Sequence, residues 1–166
     1  IMESMAPFMT GGSMIRTVTT EGSTFQEGHA MFETGTPRIA EAIGWGAAVE
    51  WLDKFEMPDI HSHVQNLASW TASEMRKIPG IRIYGNPEDR EGSGAVSFLH
   101  DSIQSLDLAL FLDEGGFAVR TGHHCAQPLM DALNVPSTNR ISFWIYNTMD
   151  EAKMFIEYLN YVVERF

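Results

Sequence analysis

From Ile81 to Phe166, short β-branched and aromatic runs take turns with runs of helical period, and this alternation constrains the fold more than any other feature. "IRIYG" and "AVSFLH" read as strands separated by a polar turn from about Asn86 to Ser93, and "SLDLALFLDEGG" reads as a helix ending on glycine. "FAVRTG" is a short strand and "QPLMDAL" a short helix. "NRISFWIYN" is a strand with Ile141, Phe143 and Ile145 on one face. The last helix is marked most clearly: Thr148 and Glu151 have capping-box spacing, and Phe155, Leu159, Val162 and Phe166 follow at helical intervals. The order predicts an α/β sandwich with helices packed on one sheet. A chain of 166 residues, 44% of them hydrophobic, can bury one such core and part of a second layer.

Residues 1–35 differ in character. They are rich in Gly, Thr and Met, and "MIRTVTT" at 14–20 reads as a short strand between "TGGS" and "EGST", so loops and an extended ribbon are expected. The period then changes. In "GTPRIAEAIGWGAAVEWLDKF", Ile39, Ile43, Gly46, Ala47 and Trp51 recur at helical spacing, with Thr36 placed to cap and Pro37 at the first turn. A second helix is expected from about Asp59 to Ile78, bounded by Pro58 before it and by "PG" at 79–80 after it. The opening, Ile1-Met2-Glu3-Ser4, lacks a starting Met and reads as part of a longer chain.

Charge narrows the partners. With 22 acidic residues against 11 basic ones and no Lys/Arg cluster, nothing is available to neutralise phosphates or to meet an anionic surface, so neither nucleic acid nor membrane is an expected partner. One cysteine cannot close an internal disulfide, and no charged leader precedes an apolar core, which points to the cytoplasm.

That cysteine stands in "RTGHHCAQP", residues 120–128. The thiolate is the reactive form and cations beside it favour it; Arg120, His123 and His124 share its short stretch, and the helix expected after Ala126 turns its positive end toward it. A lone cysteine is also commonly a buried structural residue. Gly, His, His and Gln make a poor core neighbourhood, so the reactive reading leads. A zinc site is disfavoured, because three consecutive side chains rarely converge on one ion and no spaced partner is evident. His61 and His63, two apart on a helix, diverge and read as solvated.

Arg120 closes one strand and Arg140 opens another, facing away from Ile141 and Phe143. If those strands pair antiparallel, both guanidinium groups reach the edge that holds Cys125, and a grip on a carboxylate becomes available; the alternative is two surface arginines. "ETGTP" at 33–37 offers backbone N–H groups and a hydroxyl at a helix start, which suits an anion, although capping by Thr36 explains the same residues. "TGGSM" lacks the Gly-Lys-Ser/Thr ending of a nucleotide-binding loop.

Taken together, "RTGHHCAQP", "FETGTP", "GGSMI" and "NRISFWIYNT" occur in an order and spacing that resemble the C-terminal half of SufS/CsdA-type (group II) cysteine desulfurases, class V aminotransferase-like enzymes of pyridoxal-phosphate fold type I. The resemblance implies that residues 1–57 end the large cofactor-binding domain, with the ribbon, the GTP loop and the start of a linking helix. Residues 58–166 would form the C-terminal small domain with the cysteine loop. It implies that Cys125 takes sulfur from L-cysteine as a persulfide, leaving alanine. Arg140 would bind the substrate carboxylate, Arg120 would lie beside the cysteine, and His123 and His124 would support the loop. Gly35 and Thr36 would contact the cofactor phosphate across a homodimer. A SufE-like or SufU-like acceptor would take the sulfur for iron–sulfur cluster assembly.

One departure is large. The family's Schiff-base lysine belongs to a segment with no match here: the only lysines are Lys54, Lys77 and Lys153, read as solvated residues of amphipathic helices. The isolated chain is therefore expected to be inactive. The alternatives are a selenocysteine lyase acting on L-selenocysteine, since one scaffold suits C–S and C–Se bonds, and a non-catalytic module that carries sulfur or pairs with a complete subunit.

Overall fold

The computed structural model describes residues 1–89 and 92–166. Arg90 and Glu91, within the expected polar turn, lie outside the described residues. Two compact units are present, Ile1–Lys54 and Phe55–Phe166.

In the first unit the expected ribbon is a two-stranded antiparallel hairpin, β1 (Ile15–Val18) against β2 (Ser23–Phe25), in which Ile15 faces Phe25 and Val18 faces Ser23. Thr19 closes its turn: Oγ1 accepts from the N–H groups of Glu21 and Gly22, both at 3.2 Å. Met14, fully buried, accepts from the Gln26 N–H at 2.8 Å and fixes the base of the hairpin. Helix α1 (Ile39–Leu52) starts later than expected: its N-cap is Arg38, with no side-chain cap bond, so Thr36 does not cap it. The Ile39 N–H donates to the Pro37 carbonyl at 2.8 Å, a tight turn that delays the helical phase past Arg38. No residue of α1 is buried, and Ile43 and Trp45 are 70% and 75% exposed.

The second unit carries α2 (Met57–Met75), β3 (Ile81–Tyr84), β4 (Ala95–His100), α3 (Ser105–Glu114), β5 (Arg120–Gly122), α4 (Gln127–Leu133), β6 (Thr138–Ser142) and α5 (Met149–Val163). Pro58 sits in the first turn of α2 rather than before it, because a first-turn position needs no N–H. The four strands form one antiparallel sheet in the order β3-β4-β6-β5. Register sorts the side chains into two faces. Val96 pairs with Ile141 and Phe98 with Asn139, and these point into a core shared with Ala68, Ala72 and Met75 of α2, Leu108 and Leu112 of α3, and Phe155 and Leu159 of α5. Tyr84, Ser97, Arg140 and Arg120 form one row on the opposite face. Gly94, at φ +71°, lets β4 approach α2: a Cβ there would lie 2.0 Å from Val64 Cγ1.

Two strands are shorter than expected. β5 begins only at Arg120, so Phe117–Val119 precede the ladder. β6 ends at Ser142, because the Asn147 N–H donates to the Trp144 carbonyl and Asn147 Oδ1 accepts from the Trp144 N–H, turning the chain where alternation predicted extension. Phe143 and Ile145 are therefore not strand residues. The capping box at α5 is formed as its spacing predicts: Thr148 Oγ1 accepts from the Glu151 N–H at 3.2 Å, and Glu151 Oε2 accepts from the Thr148 N–H at 2.7 Å. His63 is not simply solvated: its Nε2 lies 2.9 Å from the Asn147 carbonyl, tying α2 to that turn. Lys54 and Lys77 lie just beyond the ends of α1 and α2, and only Lys153 is within a helix. Lys77 pairs with Glu74 at 2.6 Å and Lys153 with Asp150 at 2.9 Å.

Candidate functional site: the cysteine turn and the arginine pair

Antiparallel pairing of β5 with β6 sets Arg120 directly opposite Arg140. Two like charges in that relation repel by a few tenths to about 1 kcal/mol, and among the described residues neither has a carboxylate within ion-pair reach. The pair meets the geometric condition for holding an anion. Arg140 is half-buried and its Nε is buried with no partner among the described residues, whereas Arg120 is exposed.

Beyond Gly122 the chain makes an abrupt turn. His124 and Cys125 both adopt left-handed backbone, at φ 57° and 60°, a conformation that costs non-glycine residues about 1–2 kcal/mol each. Specific contacts hold it. The Ala126 N–H donates to the His123 carbonyl at 2.9 Å. His124 Nε2 lies 3.0 Å from the Thr138 carbonyl and 2.9 Å from Thr138 Oγ1. A carbonyl only accepts, so Nε2 carries the hydrogen and Nδ1 is bare; Nδ1 is buried without a partner among the described residues. Burial chiefly holds the pKa of His124 below its ordinary value. Arg140, Arg120 and His123 act in the same sense, against the bond to Thr138.

The turn places Cys125 at the surface rather than in the core, with Arg120 Nη2 donating toward Sγ at 3.6 Å. Arg120, Arg140, His124 and Cys125 are thus gathered on one side of the sheet, while His123 is exposed on the turn. Sequence reasoning missed Thr138. It is 1% exposed and two residues before Arg140, and strand alternation already puts it on the same face.

Gly35 and Thr36 belong to the first unit. Gly35 is at φ +84° with open space where a Cβ would stand, and its N–H donates to the Gly12 carbonyl at 2.9 Å, linking the GTP loop to the "TGGS" segment. Thr36 is exposed and is not engaged as a helix cap.

Among the described residues, two of the cavities in the second unit bear on the site. One, of about 460 Å³, lies beside the cysteine turn between α4 and the row Tyr84-Ser97-Arg140. The other, of about 480 Å³, surrounds the start of α3. Several of its polar groups are already engaged: Arg82 pairs with Asp101 at 2.6 Å, and His100 Nδ1 accepts from the Ser102 and Ile103 N–H groups at 3.2 Å each. Among the described residues no three His, Cys, Asp or Glu side chains gather to hold a metal, and no helix is long and apolar enough to cross a membrane.

Residues 1–155 match the family described as aminotransferase class-V. A cysteine desulfurase of Haloferax volcanii is 41% identical over 166 residues, which cover all of this chain and 39% of that protein. A probable cysteine desulfurase of Staphylococcus aureus is also 41% identical, over all of this chain and 40% of its own length. The solved cysteine desulfurase CsdA of Escherichia coli superposes with a TM-score of 0.84 at 32% identity, covering 99% of this chain and 40% of that one. The apo cysteine desulfurase of Thermococcus onnurineus NA1 does so with 0.85 at 30%, covering 99% and 41%. The chain spans about 40% of the length of the relatives it matches.

Proposed function

Because the chain belongs to the class-V aminotransferase family, which depends on pyridoxal phosphate, we propose that it is the cysteine-bearing part of a cysteine desulfurase. The observation that carries this reading is Cys125 raised on a left-handed turn, with Arg120 against its sulfur and Arg140 in register beside it.

The residues present fit the phosphate end of the cofactor: Gly35 leaves room for close approach, and the Thr36 hydroxyl is exposed. They would hold it across a homodimer, residues 1–57 being the end of the large domain and residues 58–166 the small one. None of the three lysines stands near a matching motif, so the chain alone is inactive and does not hold the cofactor as a Schiff base. When bound, pyridoxal phosphate supplies the electron sink that makes the substrate Cβ–S bond labile.

The chain's own residues do the rest. Arg140 grips the substrate carboxylate, leaving the substrate sulfur for Cys125. Arg120 Nη2, 3.6 Å from Sγ, is placed to donate to the sulfur before and after transfer. The Cys125 thiolate attacks that sulfur: an S–S bond forms, the Cβ–S bond breaks, and its electron pair stays on carbon, which takes up a proton. The net change is L-cysteine plus a thiol giving L-alanine plus a persulfide. His124, neutral and donating to Thr138, positions the turn, and exposed His123 supports the loop from outside. An exposed persulfide suits a SufE-like or SufU-like acceptor in a cytoplasmic route to iron–sulfur clusters.

The test uses the longer protein that carries this segment. Cys125→Ala should retain the absorbance of bound pyridoxal phosphate and lose persulfide formation, and Arg140→Gln should raise KM for L-cysteine. Persulfide forming at a normal rate in Cys125→Ala would refute the reading, and faster turnover of L-selenocysteine with no need for Cys125 would favour a selenocysteine lyase. The missing lysine motif favours a second reading, a sulfur-carrying module, which predicts that the isolated chain accepts sulfur from an active donor without cofactor.

A further inference from the structure

Helix α5 carries a second apolar stripe that the core does not use. Phe155, Leu159 and Val162 point into the core. Met154, Tyr158 and Tyr161, each one residue earlier, line the adjoining face at helical spacing, and Met154 and Tyr161 are 59% and 47% exposed. The end of α3 is shaped to meet this stripe. A Cβ on Gly115 would lie 2.2 Å from Tyr158 Cε1, so glycine there lets the ring lie against the backbone. Phe117 continues the row: its ring centroid is 5.8 Å from that of Tyr158, which is 5.7 Å from that of Tyr161, with interplanar angles of 36° and 37°. The rings form a strip along a groove of about 330 Å³. Because α3 and α5 pack on the face of the sheet opposite to the row that holds Arg140, the groove is separate from the cysteine turn.

The strip has already taken one cation. The Arg165 guanidinium carbon lies 4.5 Å over the Tyr161 ring, where a planar cation meets the negative face of an aromatic system. Among the described residues no cation covers Tyr158 or Phe117. Negative charge surrounds them. Glu157 stands in the groove, Glu164 lies two turns further along the same face of α5, and Asp113 and Glu114 end α3 immediately before Gly115. None of these carboxylates forms an ion pair among the described residues. In a chain with 22 acidic and 11 basic residues, aromatic faces rimmed by free carboxylates select a cationic partner and repel an anionic one.

We propose that this groove is a docking site for an arginine-bearing basic segment of a partner protein. One guanidinium stacks on Tyr158 and pairs with Glu157, and neighbouring basic residues of the segment face Glu114 and Glu164. Arginine suits the groove better than lysine, because its flat fork can lie on a ring and meet a carboxylate at the same time. Arg165 on Tyr161 is the same contact made within the chain.

The test is fluorescence anisotropy of a labelled Ser-Arg repeat peptide, titrated with the longer protein that carries this segment and with the 166-residue chain, beside Ser-Lys and Ser-Glu repeats. Saturable binding of the arginine peptide by both proteins is expected, with the lysine peptide about threefold weaker and the glutamate peptide unbound. Glu157→Gln, at an exposed position that leaves the fold intact, should weaken binding about threefold, and Tyr158→Leu by about the same factor. Arg165→Ala frees the Tyr161 face and removes a like charge, so it should tighten binding about twofold. Asp131→Asn removes the same charge as Glu157→Gln but from α4, on the other face of the sheet, and should change nothing. Equal losses in Asp131→Asn and Glu157→Gln would reduce the effect to general attraction by an acidic protein. Equal affinity for the arginine and lysine peptides would remove the guanidinium selectivity, and binding by the 166-residue chain but not by the longer protein would mean that the groove is covered; each of these results would overturn the proposal. The titration needs neither cofactor nor turnover, so persulfide formation on Cys125 is judged by its own assay.

Discussion

Replacing His124 with alanine removes the ring that ties the cysteine turn to β6 and leaves the turn's backbone demand in place. Residues 124 and 125 still have to adopt φ 57° and 60°, each at about 1–2 kcal/mol. The bond from Nε2 to Thr138, at 3.0 Å, is no longer there to offset that cost. A neutral hydrogen bond contributes about 1 kcal/mol net, so the open form of the turn should become about fivefold more populated. Amide hydrogen exchange at Ala126 reads this directly, because its N–H is held by the His123 carbonyl at 2.9 Å. Exchange there should accelerate about fivefold, with no change in the core amides of α2 and α5. His124→Gly loses the same bond of about 1 kcal/mol and sheds one left-handed penalty of about 1–2 kcal/mol, but it loses about 0.5–1 kcal/mol more chain entropy on ordering, so it should fall between alanine and the parent. Equal Ala126 exchange in all three proteins would refute the idea that His124 holds the turn.

The same histidine predicts a pH dependence. Its folded pKa lies below the ordinary 6.5, chiefly through burial, so the unfolded chain takes up the proton first as pH falls. The stability it contributes is complete above about pH 6.5 and is lost as pH drops through the lower folded value; the thermal midpoint should show this loss in the parent and not in His124→Gln, and identical pH slopes would contradict it. Gly94→Ala combines a left-handed φ of +71° with a Cβ 2.0 Å from Val64 Cγ1. It should cost about 2–4 kcal/mol in chemical denaturation, and a loss under about 1 kcal/mol would show that β4 and α2 part easily.

The sequence was most readable where one local rule acts alone. The Thr148–Glu151 cap needs only its own spacing and is formed, and the hydrophobic periods locate α2, α3 and α5. It was least readable where a tertiary contact overrides a local pattern. "SFWIYN" alternates as a strand should, yet Asn147 turns it back on Trp144, and His63 of α2 fastens that turn. Thr36 looked like a cap until the tight turn at Pro37 moved the helix start to Ile39. For the candidate site, residue types and order singled out Cys125, Arg120, Arg140 and His124, which the fold brings together, and strand alternation alone gave the side on which Arg140 lies. The left-handed turn was not legible, since nothing in "HHC" favours positive φ over glycine. What makes it tenable is the bond from His124 to Thr138, a residue fourteen positions away in the chain.

The most direct measurement is mass spectrometry of the Cys125 peptide, taken after the longer protein has turned over L-cysteine once and its sulfur has been trapped by alkylation. One added sulfur on Cys125, absent in Arg140→Gln at limiting substrate, is the predicted result. An unmodified Cys125 peptide while alanine accumulates would mean that sulfur leaves by another route, and the central role given to this cysteine would be wrong.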